Sequence, residues 1–149
     1  MLFLLSPAKR LDYESPVAPE VAALATTPAR MKEAAELIAR LSIGELTALQ
    51  PVASGIENTN YFADTTRGRY VLTLFERLPE QSLPFYLGLM AHLARHGTPC
   101  PAPIVDHANG LYSILNGKPA TLVTRLAGAP VTSPTPAHCA QVGAVLAEM

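Results

Sequence analysis

The chain carries two kinds of apolar pattern, and they change over near residue 45. In "TPARMKEAAELIARLS", Met31, Ala34, Ala35, Ile38 and Leu41 recur at helical spacing, while Lys32, Glu33, Glu36 and Arg40 fall mostly on other faces. That spacing predicts an amphipathic helix, with Thr27 suited to its N-cap and Pro28 to its first turn. From about Leu46 the period shortens to two. "LTALQPVA", "YFADTT" and "RYVLTLFE" predict three strands, the last two joined at Arg67-Gly68. In the third, Tyr70, Leu72 and Leu74 alternate with Val71, Thr73 and Phe75, so both faces are largely apolar, as in an interior strand covered on each side.

Helical spacing returns in "QSLPFYLGLMAHLARHG", where Leu83, Leu87, Met90 and Ala94 form one stripe, Ser82 can cap, and Gly97 with Pro99 stops the helix. "PCPAP" is a stiff extended connector. Asn109-Gly110 and Asn116-Gly117 are turn signals on either side of "LYSIL", and "ATLVTRL" follows as a last strand. "TPAHCAQVGAVLAEM" predicts a closing helix from Thr135-Pro136. At the other end, "MLFLL" reads as a short buried strand and "SPAKRLDYESPVAPE" as a loop punctuated by Pro7, Pro16 and Pro19.

Length and composition narrow the classes. A chain of 149 residues fits one domain. Its net charge of −1 gives no electrostatic reason to seek nucleic acid or anionic lipid. Charged residues make up only 15% against 49% apolar, which predicts a surface meant to be covered, and self-association where it is not. Cys100 and Cys139 have neither CxxC spacing nor a framework, which favours a reducing compartment. No basic residue precedes "MLFLL", Ser6-Pro7 ends it early, and no run approaches the ~20 apolar residues of a membrane span. The expectation is a cytoplasmic protein without membrane contact.

The chemistry sits between the first two strands. "GIENTN" is in the first place a hairpin loop, because glycine and asparagine tolerate the backbone such turns need. Yet in a five-stranded sheet with a helix after the third strand, the first loop is where kinases cover ATP phosphates. A general kinase also needs a lysine on the third strand and a glutamate on the next helix. Thr73 stands at the lysine position, and no acidic residue lies between Gln81 and Gly97, so the pair is absent as a pair. His92 and His96 have metal-compatible spacing but lack a third ligand; His107 and His138 are isolated; Lys118 falls in a turn.

Taken together, "GIENTNYF", "GRYVLTLFE", "LPFYLGLMAHLARHGTPCPAPI", "NGKPATLVTRLAG" and "AHCAQVGAVLAEM" resemble the bacterial homoserine kinases of the aminoglycoside-phosphotransferase-like type, over about residues 43–149. The resemblance implies an α+β, kinase-like N-terminal lobe: a five-stranded antiparallel sheet with one packed helix, then a linker helix. It implies ATP with magnesium as cofactors, homoserine as the other partner, and a part in threonine biosynthesis. In that family too the third strand reads V-L-T. Carried over, Gly55, Ile56, Glu57, Asn58, Thr59 and Asn60 would form the phosphate-covering loop, Val71 would pack on adenine beside Thr73, and Val123, Thr124 and Leu126 would belong to the hinge strand whose backbone reads the adenine edge. The family's catalytic aspartate and magnesium ligands would follow Met149, so the chain is expected to be incomplete and inactive alone.

The opening residues resemble something else. "LLSPAKRLDYESP" and the helix after it are similar to the start of the YaaA family, associated with peroxide stress and proposed to bind DNA. This implies an appended strand–loop–helix over residues 1–45, ahead of a nucleotide-binding lobe at 46–149. Residues 1–42 hold five basic and five acidic residues, so they carry no positive footprint for DNA. Two other readings therefore stand beside the kinase: a stress-associated DNA-linked fragment, and a non-catalytic chimeric fragment.

Overall fold

The computed structural model describes residues 28–52, 57–129 and 131–149. The expected strand at "MLFLL", the proline loop after it and the Thr27 cap lie outside these residues, as do Gly55 and Ile56. The described elements are helix α1 (Pro28–Arg40), strands β1 (Leu46–Val52), β2 (Asn58–Thr65) and β3 (Gly68–Phe75), a 3₁₀ turn at Glu80–Ser82, helix α2 (Leu83–Arg95), strands β4 (Ser113–Leu115) and β5 (Lys118–Thr124), and helix α3 (Pro136–Ala147).

The five strands form one sheet in the order β1-β2-β3-β5-β4, with every pair antiparallel. This is the α+β, kinase-lobe arrangement expected from the sequence. β4 is shorter than "LYSIL" because Leu111 and Tyr112 stay in the preceding loop, where the Leu111 carbonyl accepts a hydrogen bond from the Thr121 hydroxyl at 2.7 Å. The turn into β5 needs left-handed backbone at two successive residues, and Asn116 (φ 50°) and Gly117 (φ 74°) supply it. The 99–103 connector then runs beside β5. Thr124 N–H donates to the Ala102 carbonyl at 2.9 Å, and Ile104 N–H to that of Leu122 at 2.8 Å.

Directly paired residues share a face of an antiparallel sheet, so the register sorts the side chains. One face carries Leu49, Tyr61, Ala63, Leu72, Ala120 and Leu122. It is buried against Ala34, Leu37 and Ile38 of α1 in a single apolar cluster. The helix expected to belong to the opening segment is thus a layer of the sheet's own core. Leu37, which the sequence stripe omitted, is 2% exposed, and Met31 and Leu41 pack at the margin.

The other helices bury less. α2 buries only Leu83 and Leu87 of its stripe, and Ser82 sits at its N-cap without a side-chain hydrogen bond. α3 buries nothing, although its start is well made. The Thr135 hydroxyl accepts from the His138 backbone, while the His138 ring accepts from Thr135 N–H at 3.0 Å, a capping box that gives His138 a structural role. Among the described residues no helix is long and apolar enough to cross a membrane.

Candidate functional site

With α1 on one face, chemistry on the sheet falls to the other. Two adjacent rows cross it there. One runs Gln50, Phe62, Val71 and Val123; the next runs Val52, Asn60, Thr73 and Thr121. The first offers flat apolar surface at its centre, the second amide and hydroxyl groups. Five of the residues singled out in the sequence share this side: Asn58, Asn60, Val71, Thr73 and Val123.

The strand that carries the expected loop begins sooner than the sequence predicts. Asn58, Thr59 and Asn60 pair with Phe75, Leu74 and Thr73, so they continue the β2 ladder instead of arching over it. Glu57 lies at the loop's end, exposed. Within the ladder, the Thr73 hydroxyl donates to the Asn60 side-chain oxygen at 2.7 Å. The residue expected at the lysine position of a general kinase is therefore tied to Asn60 of β2.

Thr59 points the opposite way. Its hydroxyl donates to Glu76 Oε1 at 2.8 Å, and Glu76 also pairs with Lys118. The Lys118 ammonium, then the Thr59 hydroxyl, hold the Glu76 carboxyl below its ordinary range. Lys118, expected only as a turn residue, thus ties the start of β5 to the end of β3.

The backbone of the segment expected to serve as the hinge is partly committed. Thr124 N–H is taken by Ala102, its hydroxyl accepts from Ala102 N–H at 2.9 Å, and Arg125 N–H donates to the Arg69 carbonyl at 3.1 Å. Val123 lies within the β3–β5 ladder. Of the three hinge residues singled out in the sequence, Leu126 lies beyond both the ladder and these contacts.

Two residues of this face were not singled out in the sequence. Phe62 pairs with Val71, and the Arg125 guanidinium lies 3.7 Å from the centre of its ring. Partial burial, followed by the neighbouring Arg69, lowers the Arg125 pKa, while Asp64 opposes the shift. The signal for Phe62 was parity: it stands two residues after Asn60 on one strand. Arg125 likewise stands two residues after Val123.

The histidines do not assemble a metal centre. His92 and His96 stack with ring centres 4.1 Å apart, and His96 Nδ1 engages the His92 carbonyl at 2.8 Å. Among the described residues, no three His, Cys, Asp or Glu side chains converge.

Residues 48–149 match the family described as phosphotransferase enzyme family. The chain is 50% identical over 115 residues to a homoserine kinase of Paraburkholderia phymatum, covering 77% of this chain and 36% of that protein. It is 50% identical over 123 residues to one of Polaromonas naphthalenivorans (83% and 39%), and 55% over 107 residues to one of Methylobacillus flagellatus (72% and 34%). The chain therefore spans between about a third and two fifths of the length of these curated relatives.

Proposed function

Because the chain belongs to the phosphotransferase enzyme family, we propose that its sheet is the nucleotide-holding part of an ATP-dependent homoserine kinase. One observation carries this reading: the face turned away from α1 sets an apolar row, Phe62, Val71 and Val123, beside a polar row, Asn60 and Thr73, in a chain whose relatives are named homoserine kinases. In it the adenine lies on the apolar row, the Leu126 backbone reads its edge, and Asn60 faces the phosphates.

The reaction is attack by the homoserine hydroxyl oxygen on the γ-phosphorus. The bond to the β–γ bridging oxygen breaks, ADP leaves, and the hydroxyl proton passes to a base. The described residues contribute binding and orientation to this step. They hold no lysine at Thr73 to meet phosphate charge. Magnesium does not fit the described residues by themselves, since no set of carboxylates converges there.

The test is a chimera in which residues 46–149 replace the corresponding segment of the Polaromonas homoserine kinase. ATP-dependent formation of phosphohomoserine by the folded chimera is the expected result. A folded chimera that binds no adenine nucleotide and phosphorylates nothing would overturn the reading.

A further inference from the structure

A second site lies on the opposite side of the sheet. Between the first turns of α1 and the ends of β2, β3 and the β4–β5 turn is a half-open cavity of about 70 Å³. Leu72 and Leu74 floor it, and Arg30, Glu33, Glu76, Asn116 and Lys118 surround it. A single water needs about 10–15 Å³, so the space is larger than one water and suits a small molecule.

Its charges are unevenly settled. Lys118 and Glu76 pair with each other. Among the described residues Arg30 bonds the neutral hydroxyl of Tyr61, itself buried, and acts on Glu76 through space. Glu33 has no ion-pair partner among the described residues, and the ion pair within α1 is Lys32 with Glu36. Arg30 and Glu33 are three residues apart, which places their Cβ atoms about 5–6 Å apart on one helix face. One cation and one anion, neither in an ion pair among the described residues, thus open onto one small cavity with an apolar floor.

We propose that this cavity binds a small zwitterionic amino acid, its carboxylate on Arg30, its ammonium on Glu33 and its side chain over Leu72 and Leu74. A simple anion would meet repulsion from Glu33 and Glu76, and a simple cation from Arg30 and Lys118; a zwitterion satisfies both signs. The site is separate from the nucleotide face, because Tyr61 and Leu72 point away from the row that holds Asn60 and Thr73.

The experiment titrates the 149-residue chain, without nucleotide, with alanine, acetate or methylammonium. Amide chemical shifts at Leu72, Leu115 and Asn116 report binding. Alanine should saturate these shifts, with acetate and methylammonium each weaker by about tenfold, the worth of one charge-assisted hydrogen bond. Glu33→Gln should weaken alanine by about tenfold and leave acetate no weaker. Arg30→Gln should weaken alanine and leave methylammonium no weaker; if it fails to fold, Glu33→Gln decides alone. Absence of saturable shifts with alanine, acetate binding as tightly as alanine, or indifference to Glu33→Gln would each overturn the proposal. None of these outcomes bears on nucleotide binding.

Discussion

The Thr73 hydroxyl donates to the side-chain oxygen of Asn60 across the β2–β3 pair, at 2.7 Å. Where a general kinase has a lysine reaching for phosphate, this chain has a hydroxyl that orients an amide at the base of the loop. Lysine would have no partner here, since α2 carries no acidic residue. Thr73→Val keeps the shape and removes the donor. It is expected to cost about 1 kcal/mol of unfolding free energy, read from denaturant titration. It should also weaken ATP binding to the chain, because Asn60 loses its fixed orientation. Unchanged stability would show that the bond contributes nothing.

The helix ahead of the sheet is expected to be indispensable to it. Ile38 is fully buried in the apolar cluster that joins α1 to the strands of the sheet. Ile38→Ala should cost about 2–5 kcal/mol through lost burial and the cavity left behind. Deleting residues 1–45 should do more, uncovering Leu49, Tyr61, Leu72 and Leu122 together and leaving a chain that associates. A monomeric 46–149 fragment with a cooperative melt would show that the lobe does not need α1.

What could be read from the sequence, and what could not, separates along one physical line. Local signals carried well: the alternation in β3, the Asn116-Gly117 turn and the Thr135 cap are short-range properties of a few residues. Partners carried poorly. The stripe from Met31 to Leu41 announces a buried face without naming the surface that covers it, and that surface is the sheet. Strand β2 begins at Asn58 because its ladder with β3 reaches that far, and polar residues hide the continuation. Phe62 and Arg125 were passed over because their contact joins positions far apart in sequence and close only once the sheet forms.

That contact makes a two-part prediction. Arg125 covers the Phe62 ring on the face proposed to receive adenine. Without nucleotide, Arg125→Ala should lower stability by about 0.5–1 kcal/mol, the range of an exposed cation–aromatic pair. A base stacking on the same ring displaces the guanidinium, so Arg125→Ala should bind ATP no more weakly than wild type. Phe62→Ala should bind it less well by about 1–3 kcal/mol, as base–aromatic stacking contributes. Equal ATP affinity of Phe62→Ala and wild type would place the base elsewhere.

Two glycines should respond to alanine with opposite signs. Gly117 has φ 74° and nothing within 4 Å of an added Cβ, so Gly117→Ala meets only backbone strain, about 1–2 kcal/mol. Gly143 lies inside α3, also with open space around it. Gly143→Ala should favour the helix by about 0.5–1 kcal/mol. Because α3 buries no residue, that gain should appear as greater helix content by circular dichroism, with little change in the melting of the sheet. A large rise in Tm for Gly143→Ala would show that α3 and the sheet unfold together.

The Glu76 pair gives the pH dependence. Lys118, then Thr59, lower the Glu76 pKa below 4.5, so folding favours its ionised form. A depressed carboxyl pKa contributes stability that is fully present above the unfolded value and is lost as pH falls through the folded one. The pair is partly exposed, with side-chain exposures of 49% and 30% for Lys118 and Glu76, so its worth should stay below about 1 kcal/mol and shrink further in salt. Glu76→Gln removes the charge while keeping an acceptor for Thr59. The difference in Tm between wild type and variant should hold from neutral pH down to about the ordinary carboxyl value, then close at lower pH. A difference that persists after Glu76 is protonated would assign the stabilisation to packing of the side chain, and the charge would have no part in it.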